Sequence, residues 1–143
     1  MSSTMRAAIL SLALVACTPF VAPSLVVPLG TNDWGDFALL VYDDSGLVTS
    51  GRAAERRPSM ASDEVIALPE RQELDIGWTG GACSHRPTLQ LSGDSSALRL
   101  VIRNPNDEKL LPVSCPAVGI PLWVTLSLSE AVAQDALALE VSY

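Results

Sequence analysis

Short stretches in which apolar and polar side chains alternate recur along most of this chain. The alternation is clearest in residues 73–78, 98–103 and 122–128. A period of two is typical of β-strands that bury one face, and no segment shows a competing helical period. Residues that favour turns, such as Asn104-Pro105-Asn106-Asp107, separate the runs. The pattern therefore predicts an all-β chain.

Seven or eight short strands are predicted, and 143 residues leave room for one domain. The predicted strands are residues 37–42, 47–49, 64–68, 73–78, 88–91, 98–103, 122–128 and 137–143. Turns are expected at Asp43-Asp44-Ser45-Gly46 and at Gly80-Gly81, and residues 52–62 are expected to form a loop or short helical turn. These features favour a small antiparallel β-sandwich or partly open barrel with one disulfide.

The net charge of the chain limits the classes of partner that it can bind. The chain has sixteen Asp and Glu against nine Lys and Arg, a net charge of −7. An acidic surface repels phosphate backbones, and no basic stripe interleaved with aromatic residues is present, so we expect no nucleic-acid binding. The same sign argues against electrostatic adhesion to anionic lipid.

The N-terminus resembles a bacterial lipoprotein signal peptide. Arg6 precedes an apolar run over residues 7–15, which is too short to span a bilayer as a finished helix. Leu14-Val15-Ala16-Cys17 is similar to the lipobox, the site at which lipoprotein signal peptidase cuts before the Cys. The resemblance implies that Cys17 becomes the lipidated N-terminus, with fatty acids such as palmitate. Two or three chains anchor a protein durably, whereas one is marginal.

The lipobox hypothesis divides the chain into three parts. Residues 1–16 form the signal peptide, residues 17–32 a proline-rich tether, and residues 33–143 the β domain, with Leu25 to Val27 as a candidate edge strand. We expect location at the extracytoplasmic face of the bacterial cell membrane. The alternatives are an ordinary signal peptide or an N-terminal membrane helix.

Two cysteines remain once Cys17 is assigned to lipid. Cys83 and Cys115 form an even pair in an exported domain, which predicts a disulfide. Such a bridge stabilises a fold by roughly 3 to 4 kcal/mol when its geometry is unstrained. A competing hypothesis makes Cys83, His85 and Cys115 metal ligands, but it lacks closely paired spacing and a clear fourth ligand. We therefore expect no metal and no cofactor.

No catalytic constellation is recognisable. His85 is the single histidine, so any Ser-His-Asp or Cys-His mechanism would have to use it, and no Gly-x-Ser-x-Gly motif accompanies it. Asp33, Asp36, Asp43 and Asp44 could bind calcium but lack the EF-hand spacing, so they are interpreted as solvated turn residues. We assign no catalytic residue. The tryptophans are expected mainly in the core.

Three segments resemble an uncharacterised group of secreted β-domain proteins and lipoproteins of bacteria. These are residues 42–48, 77–83 and 115–119, and the resemblance covers residues 37–143. It implies an exported β domain with a paired cysteine and supplies no activity. We expect a non-enzymatic binding or structural lipoprotein whose partners are the membrane, through Cys17, and an envelope protein or polymer. The alternatives are a small hydrolase that uses His85 and an accessory subunit or inhibitor of an envelope complex.

Overall fold

The fold is built from β-strands. A computed structural model describes residues 21–32, 35–55, 63–81, 86–105 and 119–142. The strands in these ranges are β1 (Leu25–Asn32), β2 (Gly35–Asp43), β3 (Val48–Ala53), β4 (Glu64–Leu68), β5 (Glu73–Gly81), β6 (Thr88–Asp94), β7 (Ala97–Arg103), β8 (Gly119–Leu128) and β9 (Leu137–Ser142). Two short 3-10 helices, Pro69–Arg71 and Gln134–Ala136, precede β5 and β9.

The strands form two sheets. One has five strands in the order β1-β2-β6-β7-β9, and the other has four in the order β3-β8-β5-β4. This confirms an all-β, sandwich-like fold, and the sheets are not closed into a barrel.

The prediction of a purely antiparallel sandwich was wrong for the larger sheet. The four-stranded sheet is antiparallel throughout, but β2 pairs with β6 in parallel, and so does β7 with β9. Both parallel pairs arise because the chain crosses to the smaller sheet before it returns. Alternation reports only which face of a strand is buried, so it does not distinguish the two directions of pairing.

The core lies between the sheets and follows the predicted alternation. Leu74, Ile76 and Trp78 from β5 are buried against apolar side chains of the larger sheet. The other fully buried large side chains are Val27, Leu39, Val41, Leu89, Leu91, Leu98, Leu100, Ile102 and Leu126. Burying one such side chain stabilises the fold by roughly 1.5–3 kcal/mol, so this core is the main source of stability.

Three predicted boundaries need correction. β1 confirms the candidate edge strand at Leu25 to Val27, but it continues to Asn32 and buries Val27, so the larger sheet includes residues that were assigned to the tether. β5 continues through Gly80-Gly81, which were predicted to form a turn. Arg52 lies in β3, although it was assigned to a loop. Glycine and arginine carry weak strand preferences, and pairing with neighbouring strands decides their conformation.

In two turns at one end of the sandwich, an aspartate carboxylate accepts hydrogen bonds from backbone N–H groups. The Asp43 carboxylate accepts hydrogen bonds from the backbone N–H groups of Ser45 (3.0 Å), Gly46 (3.1 Å) and Val48 (2.8 Å). The turn predicted here is confirmed, and Gly46 has a φ of 71°, which glycine adopts without a steric cost.

The hairpin between β6 and β7 contains the same kind of carboxylate-capped turn. The Asp94 carboxylate accepts from the backbone N–H of Ser96 (2.9 Å), from its hydroxyl (2.5 Å) and from the N–H of Ala97 (3.1 Å). These bonds satisfy backbone donors that the tight turn leaves without a strand partner. The hydroxyl of Ser96, followed by the two N–H groups, lowers the pKa of Asp94 below its ordinary value of 3.8.

We predict that Gly93→Ala destabilises the fold far more than Gly46→Ala. Both glycines have positive φ, but a Cβ on Gly93 would lie 2.1 Å from the carbonyl oxygen of Ala97, whereas one on Gly46 would meet nothing within 4 Å. Left-handed strain alone costs about 1–2 kcal/mol, and we expect a loss of about 3 kcal/mol or more for Gly93→Ala. Urea unfolding of both variants measures the difference, and equal losses would contradict it.

We also predict that Asp94→Asn flattens the acid limb of the stability curve. Because the folded pKa lies below the unfolded one, the carboxylate stabilises the fold above about pH 3.8 and loses that effect as pH falls through the folded pKa. Asparagine at this position does not titrate, so the stabilities of wild type and variant should converge as the pH falls through the folded pKa of Asp94. Unfolding curves at several pH values measure this, and parallel acid limbs would exclude it.

Candidate functional site

The cysteines and the histidine singled out from the sequence lie outside the described residues. Cys17, Cys83, His85 and Cys115 are all in this group, as are Asp33 and Trp34. Lipidation, the disulfide and the competing metal and catalytic hypotheses therefore stay predictions. The described strands do fix where the segments that contain these residues join the sheets.

The sandwich has two unlike ends. We call the end at which the chain enters β1 the entry end; it carries Leu25 and the connections 44–47, 69–72, 95–96 and 129–136. The opposite end, which we call the far end, carries the connections that contain Cys83, His85 and Cys115. Every connection at the entry end is short and fully described.

The entry end is acidic. The described connections of this end carry the carboxylates of Asp44, Glu70, Glu130 and Asp135 and the cation of Arg71, and Asp43 and Asp94 end the strands that lead into two of these connections. Asp43 and Asp94 cap turns, and the other four carboxylates belong to exposed residues. This end therefore presents negative charge to whatever lies beside it.

A buried polar pair lies on the outer face of the four-stranded sheet. Asp75 of β5 and Thr125 of β8 are register partners and are only 1% and 2% exposed. The Thr125 hydroxyl donates to a carboxylate oxygen of Asp75 at 2.7 Å. A carboxylate removed from water needs hydrogen-bond donors, so the hydroxyl offsets part of the desolvation cost. Because the pair is inaccessible to solutes, we assign it a structural role.

An ion pair flanks the buried pair on the same face. Arg52 of β3 lies 3.3 Å from Glu73 of β5, with side-chain exposures of 58% and 15%. The registers place Arg52 beside Thr125, and Thr125 beside Asp75. An ion pair as exposed as this one contributes about 0–1 kcal/mol. Arg52 thus pairs with a carboxylate of its own sheet.

The two described tryptophans occupy different faces. Trp78 is in the core, as predicted, and its indole N–H donates to the Asn104 side-chain oxygen at 3.2 Å. Asn104 follows β7, and its backbone N–H donates to the Ser142 carbonyl at 3.1 Å. This contact therefore links the two sheets. Trp123 alternates with the buried Val124, so it lies on the outer face and is half-buried.

The described residues hold no group of three His, Cys, Asp or Glu side chains that could bind a metal ion.

A shallow surface depression is lined by Ala67, Leu68, Pro69, Glu70 and Arg71 at the end of β4. Within the described ranges, no helix is long and apolar enough to cross a membrane.

No protein-family model, curated protein or solved structure matches the chain.

Sequence reasoning missed the polar contacts that the fold buries. Asp75 occupies the polar position of an alternating strand, which ordinarily indicates exposure to solvent. Its register with Thr125 depends on which strands are neighbours, and alternation carries no information on that point. Asn104 was assigned to a turn, and the turn residues gave no signal of its contact with Trp78.

We predict that Thr125→Val lowers the free energy of unfolding by about 1–3 kcal/mol, because the buried Asp75 carboxylate loses a hydroxyl donor while the side-chain shape is kept. Thr125→Ser, which keeps the hydroxyl, should lose less than Thr125→Val. Chemical denaturation of both variants measures the difference. A larger loss for serine would show that the methyl group, and not the hydrogen bond, matters at this position.

Proposed function

We propose that this protein is an exported lipoprotein, anchored through lipid on Cys17 at the extracytoplasmic face of the bacterial cell membrane, with a β domain that binds or supports envelope components without catalysis. The observation that carries the proposal is the path of the chain at the entry end. β1 starts at Leu25, at the edge of the larger sheet, and its Val27 is fully buried. The predicted lipidation site lies only eight residues before that strand.

This spacing suits a short tether. Eight residues in extended conformation reach at most about 26–29 Å. A lipid on Cys17 would therefore keep the entry end within that distance of the bilayer. The connections of the far end start from the opposite ends of the strands in both sheets. They would therefore face away from the membrane.

The proposal includes a disulfide between Cys83 and Cys115. Gly81, the last residue of β5, pairs with Gly119, the first residue of β8. Register partners in an antiparallel pair have Cα atoms about 4.5–5.5 Å apart. Cys83 follows Gly81 by two residues and Cys115 precedes Gly119 by four, so both connections start from neighbouring points. The Cα separation of 4.4–6.8 Å that a disulfide requires is within reach of both.

A non-enzymatic role is supported by what the described polar groups do. Asp43 and Asp94 cap turns, Asp75 accepts from Thr125, and Glu73 pairs with Arg52. Each of these carboxylates is used within the fold. An exported β domain with a paired cysteine is also what the resemblance to uncharacterised secreted proteins of bacteria implies.

We predict that the intact protein from its native membrane has a mass that begins at Cys17 and includes acyl chains, since lipoprotein processing adds them there. Cys17→Ala should lose the acyl mass and leave the membrane fraction. In the wild type, two thiols should react with an alkylating agent only after reduction. Mass spectrometry with and without reduction measures both features in one sample.

The double variant Cys83→Ala, Cys115→Ala is the matched control, because it should keep the acyl mass and lose both alkylation sites. A wild-type protein without acyl mass would overturn the anchor. Thiols that react without reduction would overturn the disulfide and leave the anchor intact.

A further inference from the structure

In the described part of the chain, the Gln134 side chain forms hydrogen bonds to the outer edge of β4. The Gln134 side-chain oxygen accepts from the backbone N–H of Ala67 at 2.7 Å, and its NH₂ group donates to the Val65 carbonyl at 2.9 Å. β4 ends the four-stranded sheet, so these backbone groups point away from its partner β5. The carboxamide thus occupies the place that a peptide group of a further strand would take.

Gln134 is held in this position by its own segment. It begins the 3-10 helix Gln134–Ala136, in which the Ala136 N–H donates to the Ala133 carbonyl at 3.1 Å. Val132, just before the helix, is buried in the core. The side chain is therefore presented to β4 by an ordered backbone.

We propose that the edge of β4 is a strand-pairing surface for a second copy of this chain, and that Gln134 holds it closed. Exposed strand edges pair readily with other strands, and proteins block them with side chains or covering segments. Glu64–Leu68 has the sequence Glu-Val-Ile-Ala-Leu, which contains no proline and a single charge. Such a segment is well suited to pairing with itself.

The charges are compatible with an antiparallel self-pair centred on Ile66. In an antiparallel pair centred on Ile66, each Ile66 lies opposite its copy, and Glu64 lies opposite Leu68. The two carboxylates are then not placed against each other. Like charges directly opposite would destabilise the pair, and this register avoids them.

A count of hydrogen bonds explains why the cap keeps the chain monomeric. Backbone N–H and C=O groups of one strand residue point the same way, so Val65 and Ala67 direct four groups outwards. Pairing of two β4 strands in this register forms four backbone bonds and breaks the two bonds of Gln134 in each copy. Four bonds are formed and four are lost, so no net gain of hydrogen bonds offsets the entropy of association. Without the Gln134 amide, pairing would form four backbone hydrogen bonds and break none of the Gln134 bonds.

The test is the mass of the full chain, purified with its anchor in density-matched detergent and followed by sedimentation equilibrium over a range of concentrations. Wild type should be monomeric. Gln134→Ala and Gln134→Met, which both lack the amide, should self-associate at least about tenfold more tightly. Methionine keeps the length of the side chain, so it preserves packing if alanine impairs folding.

Two further variants make the test specific. Gln90→Ala removes an amide that donates to Asp44 at 3.1 Å on the other sheet, and it should stay monomeric. Adding Ile66→Lys to Gln134→Met places two cations opposite each other and should restore the monomer. Monomeric Gln134→Met at every concentration, or a dimer that persists with Ile66→Lys, would overturn the proposal.

Discussion

The pairing of β5 with β8 positions most of what is distinctive in this molecule. The ladder runs from Glu73 and Ser127 at the entry end to Gly81 and Gly119 at the far end, and it forms the centre of the four-stranded sheet. On its inner face it delivers Leu74, Ile76 and Trp78 to the core. On its outer face the same register brings Asp75 against Thr125. A slip of one residue would reverse both faces, so the core and the buried pair depend on a single register.

Much of the strand content was predictable because burial of one face leaves a period of two. The strand at residues 64–68 was predicted with the bounds that β4 has, and the core position of Trp78 was correct. The parallel pairs were not predictable, since they depend on which sheet the chain enters next. The extension of β5 through Gly80-Gly81 was missed because a neighbouring strand overrides the turn preference of glycine.

The polar contacts could not be predicted from the sequence, for a related reason. The side chains of Asp75 and Gln134 are ordinary for a strand surface and a loop, and only the assembled sheets give them partners. Gln134 meets β4 across 67 positions of sequence, and Thr125 meets Asp75 across 50. The conformational preferences of single residues carry no information about contacts between residues so far apart in sequence. A site made of these contacts is thus a product of topology and not of a motif.

The acidic entry end gives the tether a physical purpose under the proposed anchor. Exposed carboxylates such as Asp44, Asp135 and Glu130 would face the bilayer, and anionic headgroups would repel them. That repulsion is screened beyond about 8 Å at physiological ionic strength. A tether that reaches about 26–29 Å allows the entry end to lie outside this range while the lipid stays inserted. With such an anchor, charge and tether length would act together: the carboxylates would keep the sandwich away from the bilayer surface, and the segment from Cys17 to Leu25 would limit how far it can move away.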